Sequence, residues 1–72
     1  MINGVIISWH SNQGYGWVRE QSAPSGNGYF FHISNCNIPE DEIKVGLYVT
    51  YELTDVNYKG HSTKNAINLA KM

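Results

Sequence analysis

The chain is built from short blocks of strand-forming residues separated by turn residues, and no block shows a sustained helical period. Val, Ile, Tyr, Trp and Phe recur in the blocks, whereas Gly, Asn, Ser and Pro recur between them. The blocks predict five strands, at residues 2–10, 15–20, 29–33, 47–53 and 63–69. Five short antiparallel strands must hide their edges, and closure into a barrel removes those edges. The sequence therefore predicts an all-β fold, a five-stranded antiparallel β-barrel.

The segments between the predicted strands have the composition of turns and loops. Residues 11–14 form a predicted tight turn, since Ser and Asn bond locally and Gly can take positive φ. Residues 22–28 are a predicted flexible loop, and residues 55–62 are a predicted polar loop. Residues 34–45 are expected to be irregular, with one helical turn at residues 39–42 where Pro and acidic residues suit a helix start. Alternation along the strands predicts a core of Ile6, Val18, Phe31, Val49, Tyr51, Leu53, Ile67 and Leu69.

Two consecutive strands carry aromatic residues at alternate positions. Tyr15 and Trp17 share one face of the second strand, because alternate side chains point to opposite sides. Phe30 and His32 share one face of the third strand by the same rule. Aromatic residues favour strands in general, but rings on the face opposite the core have no internal packing role. If the two strands pair, they offer a surface on which flat, unpaired nucleobases stack.

The charge balance limits the class of partner. The chain has 72 residues, with five Lys and Arg against six Asp and Glu, and a formal net charge of −1. A chain of this length is expected to form one small domain, residues 1–72, that removes only about 60% of its unfolded surface from water. A protein that binds duplex DNA tightly should be basic, so the balance argues against that class. Single strands remain a candidate partner, because stacking supplies much of their affinity.

Cysteine usage and hydropathy bear on the cellular location. One Cys allows no internal disulfide, which fits a reducing, cytoplasmic setting. The longest aliphatic run, residues 5–7, is far too short to span a membrane, and the chain has no signal-peptide pattern. We therefore expect a cytoplasmic protein with no membrane partner.

Two short motifs resemble those of the cold-shock domain family. Residues 13–18, Gln-Gly-Tyr-Gly-Trp-Val, resemble its first ribonucleoprotein motif, which reads roughly Lys-Gly-Phe-Gly-Phe-Ile. Residues 29–34, Tyr-Phe-Phe-His-Ile-Ser, resemble its second, roughly Val-Phe-Val-His-x-Ser. Residues 46–52 and 66–69 are similar to the family's later strands, and both motifs fall in order on consecutive strands. The resemblance implies an oligonucleotide/oligosaccharide-binding (OB) barrel that binds single-stranded RNA and DNA.

The resemblance also implies roles for individual residues. Trp17, Phe30 and His32 match the family's base-stacking positions, and Tyr15 matches a neighbouring aromatic position on the same face. Sequence preference should be modest, because every base has a π-face. An RNA-chaperone role follows, since a protein that binds only the open form of a weak hairpin shifts its equilibrium toward opening.

The chain departs from the family pattern at the end of the first strand. The family reads Lys-Trp-Phe-Asn there, and an ungapped alignment places Ser8 at the stacking Trp and Trp9 at the adjacent Phe, near the stacking face. A shift of one residue would restore Trp9 to the Trp position but needs compensating gaps, so the ungapped alignment is preferred. Three positions that are often Lys in the family are Val5, Ile7 and Gln13 here.

These departures define the remaining expectations for the binding surface. Trp9 is expected to assist the stacking residues. Polar groups are expected to reach base edges or phosphates from Ser8, Gln13 and Lys59.

Two other classes of function are weighed against nucleic-acid binding. Val5 and Ile7 give the first strand an apolar edge, which favours a protein-interaction module or a homodimer through strand one or loop exchange. An enzyme is least favoured, because the sequence suggests no convergent acid, base and nucleophile, and His32 with Cys36 forms one isolated pair. We expect no cofactor and no metal, and we expect Cys36 to be a small buried thiol.

Overall fold

The computed structural model of the protein describes residues 1–22 and 28–72, and their strands close into a barrel. The strands are β1 (Ile2–His10), β2 (Tyr15–Glu20), β3 (Tyr29–His32), β4 (Tyr48–Tyr58) and β5 (His61–Lys71). Their order around the barrel is β1-β2-β3-β5-β4. Neighbouring strands run antiparallel except β3 and β5, which meet in parallel. The predicted all-β, five-stranded barrel of the OB type is confirmed.

A β-bulge divides β1 into two parts. The pairing with β2 shifts between Ile6 and Ser8, so that Ile7 is an extra residue on β1. Directly paired residues share a face, and Ser8 and His10 pair with residues of the outer face of β2. Trp9 accordingly turns inward and packs against the core.

The β4–β5 hairpin is longer than the sequence predicts. Residues 55–62 were expected to form a polar loop, and this expectation is wrong, because the strands continue to a two-residue turn at Lys59 and Gly60. Both turn residues have positive φ, 51° and 81°, as the tight hairpin turn that matches strand twist requires. Val56 pairs with Thr63 along the added length. Polar residues in this segment face solvent from a strand, which composition alone does not distinguish from a loop.

The core contains most of the residues that alternation predicts. Buried as expected are Ile6, Val18, Phe31, Val49, Tyr51 and Leu69. Leu53 is half-buried and packs against this cluster. The prediction for Ile67 is wrong: it is half-buried outside the cluster, and Ala66 is buried instead. The β4–β5 register shifts there, and Asn68 has a φ of 55°, so alternation on β5 breaks between Ala66 and Leu69.

The segment between β3 and β4 supplies further core residues. It contains 3-10 helices at Ile33–Asn35 and Glu40–Glu42, the second following Pro39, which confirms the helical turn expected there. Ile38 and Ile43 on either side of the second helix are buried in the core, and the sequence prediction missed both. Among the described residues, no helix has the length and apolarity needed to cross a membrane.

Cys36 lies in the same segment and forms an isolated parallel bridge with Leu69. Its thiol is half-buried rather than fully buried as expected. Burial raises the pKa of the Cys36 thiol, and a backbone hydrogen bond from Ile38 opposes that rise. The thiol form is therefore favoured, as for a side chain that serves packing.

Candidate nucleic-acid interface

The outer face of β2 and β3 carries a contiguous set of aromatic rings. Trp17 lies opposite Phe30, and Tyr15 lies opposite His32. The ring centroids of Tyr15 and Phe30 are 5.5 Å apart with planes 27° from parallel. Trp17 meets Phe30 edge to face, with centroids 5.7 Å apart and planes at 79°. The common face that alternation predicts for these four residues is therefore present.

His10, the last residue of β1, extends this set. Its ring centroid is 4.8 Å from that of Tyr15, with planes 35° apart. We define the aromatic row as His10, Tyr15, Phe30 and Trp17, in the order of their ring contacts. The bulge at Ile7 accounts for the position of His10 on this face. Since a bulge depends on partner strands, no signal in the sequence of β1 alone identifies it.

Trp9 lies on the other side of the sheet from the aromatic row. Its ring stacks on Phe31, with centroids 5.7 Å apart and planes within 5°, and Phe31 is fully buried. The expectation that Trp9 lies near the stacking face is wrong, because the bulge reverses the direction of its side chain. Trp9 therefore supports the core beneath the site.

Gly16 allows the strands beneath the aromatic row to pack closely. A Cβ atom at this position would lie 2.3 Å from the Ser8 carbonyl oxygen and 3.0 Å from the Phe31 ring. Both distances are shorter than ordinary contact, so a side chain would push β1 and β2 apart or displace Phe31. The absence of a side chain at Gly16 thus fixes the spacing at which Tyr15 and Trp17 are presented.

The rings of the aromatic row remain accessible to a ligand. Trp17 is 39% exposed, Tyr15 and Phe30 are half-buried, and His10 is exposed. His32 is exposed beside the row, at the end of β3. Half-buried rings are held in place by their neighbours yet offer a face or an edge to solvent. A base that covered them would bury apolar surface without any rearrangement of the core.

The three polar residues predicted for the site lie in different places. Ser8 is on the same face, opposite Trp17, and its hydroxyl lies 3.3 Å from Nε2 of His10. Gln13 is exposed in the turn between β1 and β2, just before the first aromatic residue of β2. Lys59 is in the β4–β5 turn rather than on the β1–β3 face. Ser8 is thus the one of these three that the structure brings into the aromatic face.

A groove adjoins the Trp17 end of the aromatic row. It has a volume of about 650 Å³ and lies between β3 and the β4–β5 hairpin. Trp17 and Phe30 line one side, while Val56 and Thr63 of the hairpin line the other. Val56 belongs to the segment that the sequence misassigned as a loop, so this wall of the groove was not foreseeable.

Lys64, Lys71 and Arg19 each make polar contacts within the chain. Lys64 lies 2.9 Å from a carboxylate oxygen of Asp55, and Lys71 contacts the carboxylate of Glu42. Arg19 donates to the backbone carbonyl of its neighbour over 3.3 Å. The two lysine–carboxylate pairs are exposed and of the kind that contribute about 0–1 kcal/mol each, yet they lower the positive charge offered to a polyanion. Within residues 1–22 and 28–72, no three His, Cys, Asp or Glu side chains form a metal-binding group.

The apolar edge expected on β1 is only partly present. Val5 is 8% exposed, because β2 and β4 flank it on either side, with Arg19 and Tyr48 as its direct partners. That part of the expectation is wrong, since the backbone of Gly4 and Val5 already pairs with both neighbours. Ile7, in the bulge, is 40% exposed.

The fold and this surface together define a class of protein. The chain is a small closed β-barrel of the OB type with an aromatic cluster on its outer surface, an arrangement compatible with nucleic-acid binding. Comparison with known proteins finds no matching family model, no matching curated protein and no matching solved structure. The case for function therefore depends on the geometry of this chain and on the two motifs quoted above.

Proposed function

We propose that the protein is a cold-shock-type binder of single-stranded RNA or DNA that stacks successive bases on Trp17, Phe30 and His32, with Tyr15 beside them. The observation that carries this proposal is the aromatic row, a set of contacting rings on the outer face of β1, β2 and β3. Stacking of a base on such a ring contributes about 1–3 kcal/mol, as judged from alanine substitution.

The packing of the inner face supports a binding role for the outer one. Phe31 and Val18 fill the inner face of the same two strands and are fully buried. The core therefore does not need Tyr15, Phe30 or Trp17 to be complete. Rings of this size on the outer face of a strand are best explained by a ligand that covers them.

The charge distribution supports an unpaired strand rather than a duplex as the ligand. The net charge is −1, and two of the lysines pair with carboxylates of the same chain. Duplex binding needs many phosphate contacts, whereas single-strand binding draws on the exposed faces of unpaired bases. The proposal includes no catalysis and a cytoplasmic location. It also includes melting of marginal RNA hairpins, which added protein should reveal as a lowered melting temperature.

Tryptophan fluorescence tests the proposal. Titration with oligouridine or oligothymidine should quench the emission of Trp17, and Phe30→Ala should weaken binding by roughly tenfold or more. Trp17→Phe isolates the signal of Trp9, which should stay nearly constant because that ring stacks on buried Phe31. Tyr48→Ala is the matched control, since Tyr48 is 54% exposed on β4 and lies outside the aromatic row. A titration to millimolar strand without any change in wild-type emission would refute the proposal.

Exposed apolar residues favour self-association as a second candidate function. Ile7 is 40% exposed next to the groove side of the sheet, and Val45 is 63% exposed. The partner would be a second copy of the chain. Light scattering without nucleic acid should then show a dimer that Ile7→Lys dissociates. A monomer at all accessible concentrations would exclude this function.

A further inference from the structure

The ring of His32 is fixed in one tautomer by Ser34, in the 3-10 helix that follows β3. The backbone N–H of Ser34 donates to Nδ1 of His32 over 3.1 Å, so His32 acts as the N-cap of the helix at Ile33–Asn35. A backbone amide can only donate, so Nδ1 must be the unprotonated nitrogen. The hydroxyl oxygen of Ser34 lies 2.9 Å from the same nitrogen, and it therefore donates as well.

The other ring nitrogen is then a donor. A neutral imidazole with a bare Nδ1 carries its proton on Nε2. No hydrogen bond within the described part of the chain uses Nε2 of His32, and the side chain is exposed beside the aromatic row. A Cβ built on Gly14, in the β1–β2 turn, would lie in ordinary contact with Nε2, at 3.9 Å.

We propose that Ser34 is a positioning residue that holds His32 with Nε2–H directed at an acceptor oxygen of the bound strand. The inference rests on the proposed function and adds a directional contact to the stacking of bases. The acceptor is an oxygen of a phosphate or of a base carbonyl, because Nε2–H can only donate. A stacking ring alone does not distinguish between orientations of the strand, whereas a single donor at one end of the row does.

Two isosteric substitutions separate the two nitrogens of His32. His32→Asn keeps an acceptor where Nδ1 lies, so it can still cap Ser34, but it removes the outward donor. His32→Gln places an amide N–H near the position of Nε2 but removes the cap. Both variants lose the ring equally, so stacking does not contribute to the difference between them, and the outward donor favours His32→Gln while the cap favours His32→Asn. We expect His32→Gln to bind oligouridine roughly 3- to 10-fold more tightly than His32→Asn.

Modified strands identify the acceptor. On a strand with uncharged methylphosphonate linkages, the difference in affinity between His32→Gln and His32→Asn should vanish if a phosphate oxygen accepts the hydrogen bond. On strands with a single abasic site, moved along the sequence so that the other bases still stack, the difference should vanish at one position if a base carbonyl accepts. Either result supports the inference. Equal affinities of the two variants on the unmodified strand would overturn it, even with wild-type binding intact.

Nitrogen NMR of the free protein tests the tautomer independently of any ligand. We expect the neutral His32 ring to carry its proton on Nε2, and we expect the same in Ser34→Ala, which keeps the backbone donor. Ser34→Ala should weaken strand binding by only about twofold, since one of the two hydrogen bonds remains. A proton on Nδ1 of the neutral ring would overturn the inference. Failure of the wild-type protein to bind any strand would overturn the proposed function, and the tautomer could still be measured.

Discussion

The outer surface of the β4–β5 hairpin differs from that of β1, β2 and β3 in the contacts that its side chains make. On β4 and β5, Asp55 pairs with Lys64, and Ser62 donates to the side chain of Asn57. On β1, β2 and β3, the outer face presents the aromatic row, which has neither charged partners nor a covering element among the described residues. The two regions therefore differ in the side chains that they present to solvent. A surface that satisfies its own polar groups needs no ligand, whereas exposed rings gain free energy from one.

The largest expected effects are on β3, where Phe30 and Phe31 face opposite sides of the sheet. We expect Phe31→Ala to lower the free energy of unfolding by about 3–5 kcal/mol, because it leaves a cavity in the core. Phe30→Ala should cost clearly less stability but should weaken strand binding. Urea unfolding and oligonucleotide titration of both variants measure the two effects. If Phe30→Ala proved as destabilising as Phe31→Ala, the outer ring would be a structural residue.

The spacing beneath the aromatic row should depend on Gly16. We expect Gly16→Ala to destabilise the protein by about 1–3 kcal/mol, because the new Cβ overlaps the Ser8 carbonyl and the Phe31 ring. Gly60→Ala, in the β4–β5 turn, is the contrasting variant, since nothing lies within 4 Å of its built Cβ and its cost is that of placing Ala at a positive φ of 81°. Thermal unfolding of both should show the larger loss at Gly16. Equal losses would remove the argument for close packing under the site.

Alkaline pH should lower stability through Tyr51. Burial raises the pKa of the Tyr51 hydroxyl, and the nearby charges of Glu20 and Tyr29 raise it further. The unfolded state, with a tyrosine pKa of about 10, therefore loses its proton first as pH rises. The unfolding free energy is unaffected by this group below that pH and falls above it.

Tyr51→Phe tests this linkage. We expect the variant to flatten the decline between neutral pH and about pH 11. At neutral pH it should be unchanged or more stable by about 1 kcal/mol, because the buried hydroxyl has no hydrogen-bond partner among the described residues. Urea unfolding across that range is the measurement, and an identical pH profile in the two proteins would contradict the assigned cause.

The smallest expected effects concern the charged hairpin. Lys64→Ala should change the unfolding free energy by less than about 1 kcal/mol, since its ion pair with Asp55 is exposed.

Binding of a single strand should depend weakly on salt, with a slope of log affinity against log salt near −0.7 to −1.4, as one or two phosphate contacts give. A slope steeper than about −3 would show that positive charge, rather than stacking, dominates binding.

Local alternation was sufficient to predict the existence of the five strands, though not the length of β4 and β5, and the outer face that carries Tyr15, Trp17 and Phe30. Features that depend on partner strands were not predictable from one segment. The bulge at Ile7 moved Trp9 inward and His10 outward, and the irregularity at Asn68 exchanged Ile67 for Ala66 in the core.

Composition also misled where polar residues occupy solvated strands. The segment at residues 55–62 looks like a loop because its side chains are polar, yet its backbone forms a regular ladder with a two-residue turn. Ile38 and Ile43 lie in an irregular segment without a period, so their burial became visible only when the barrel was closed. Periodicity identifies the faces of regular elements but does not identify core residues, such as Ile38 and Ile43, that come from irregular segments.

Chemical-shift mapping of the wild-type protein with a short oligouridine tests the central claim most directly. We expect the largest shifts at Tyr15, Trp17, Phe30 and His32, with little change along the outer face of β4 and β5. Shifts confined to the β4–β5 hairpin, or none at saturating strand, would contradict a nucleobase-stacking role for the outer face of β2 and β3.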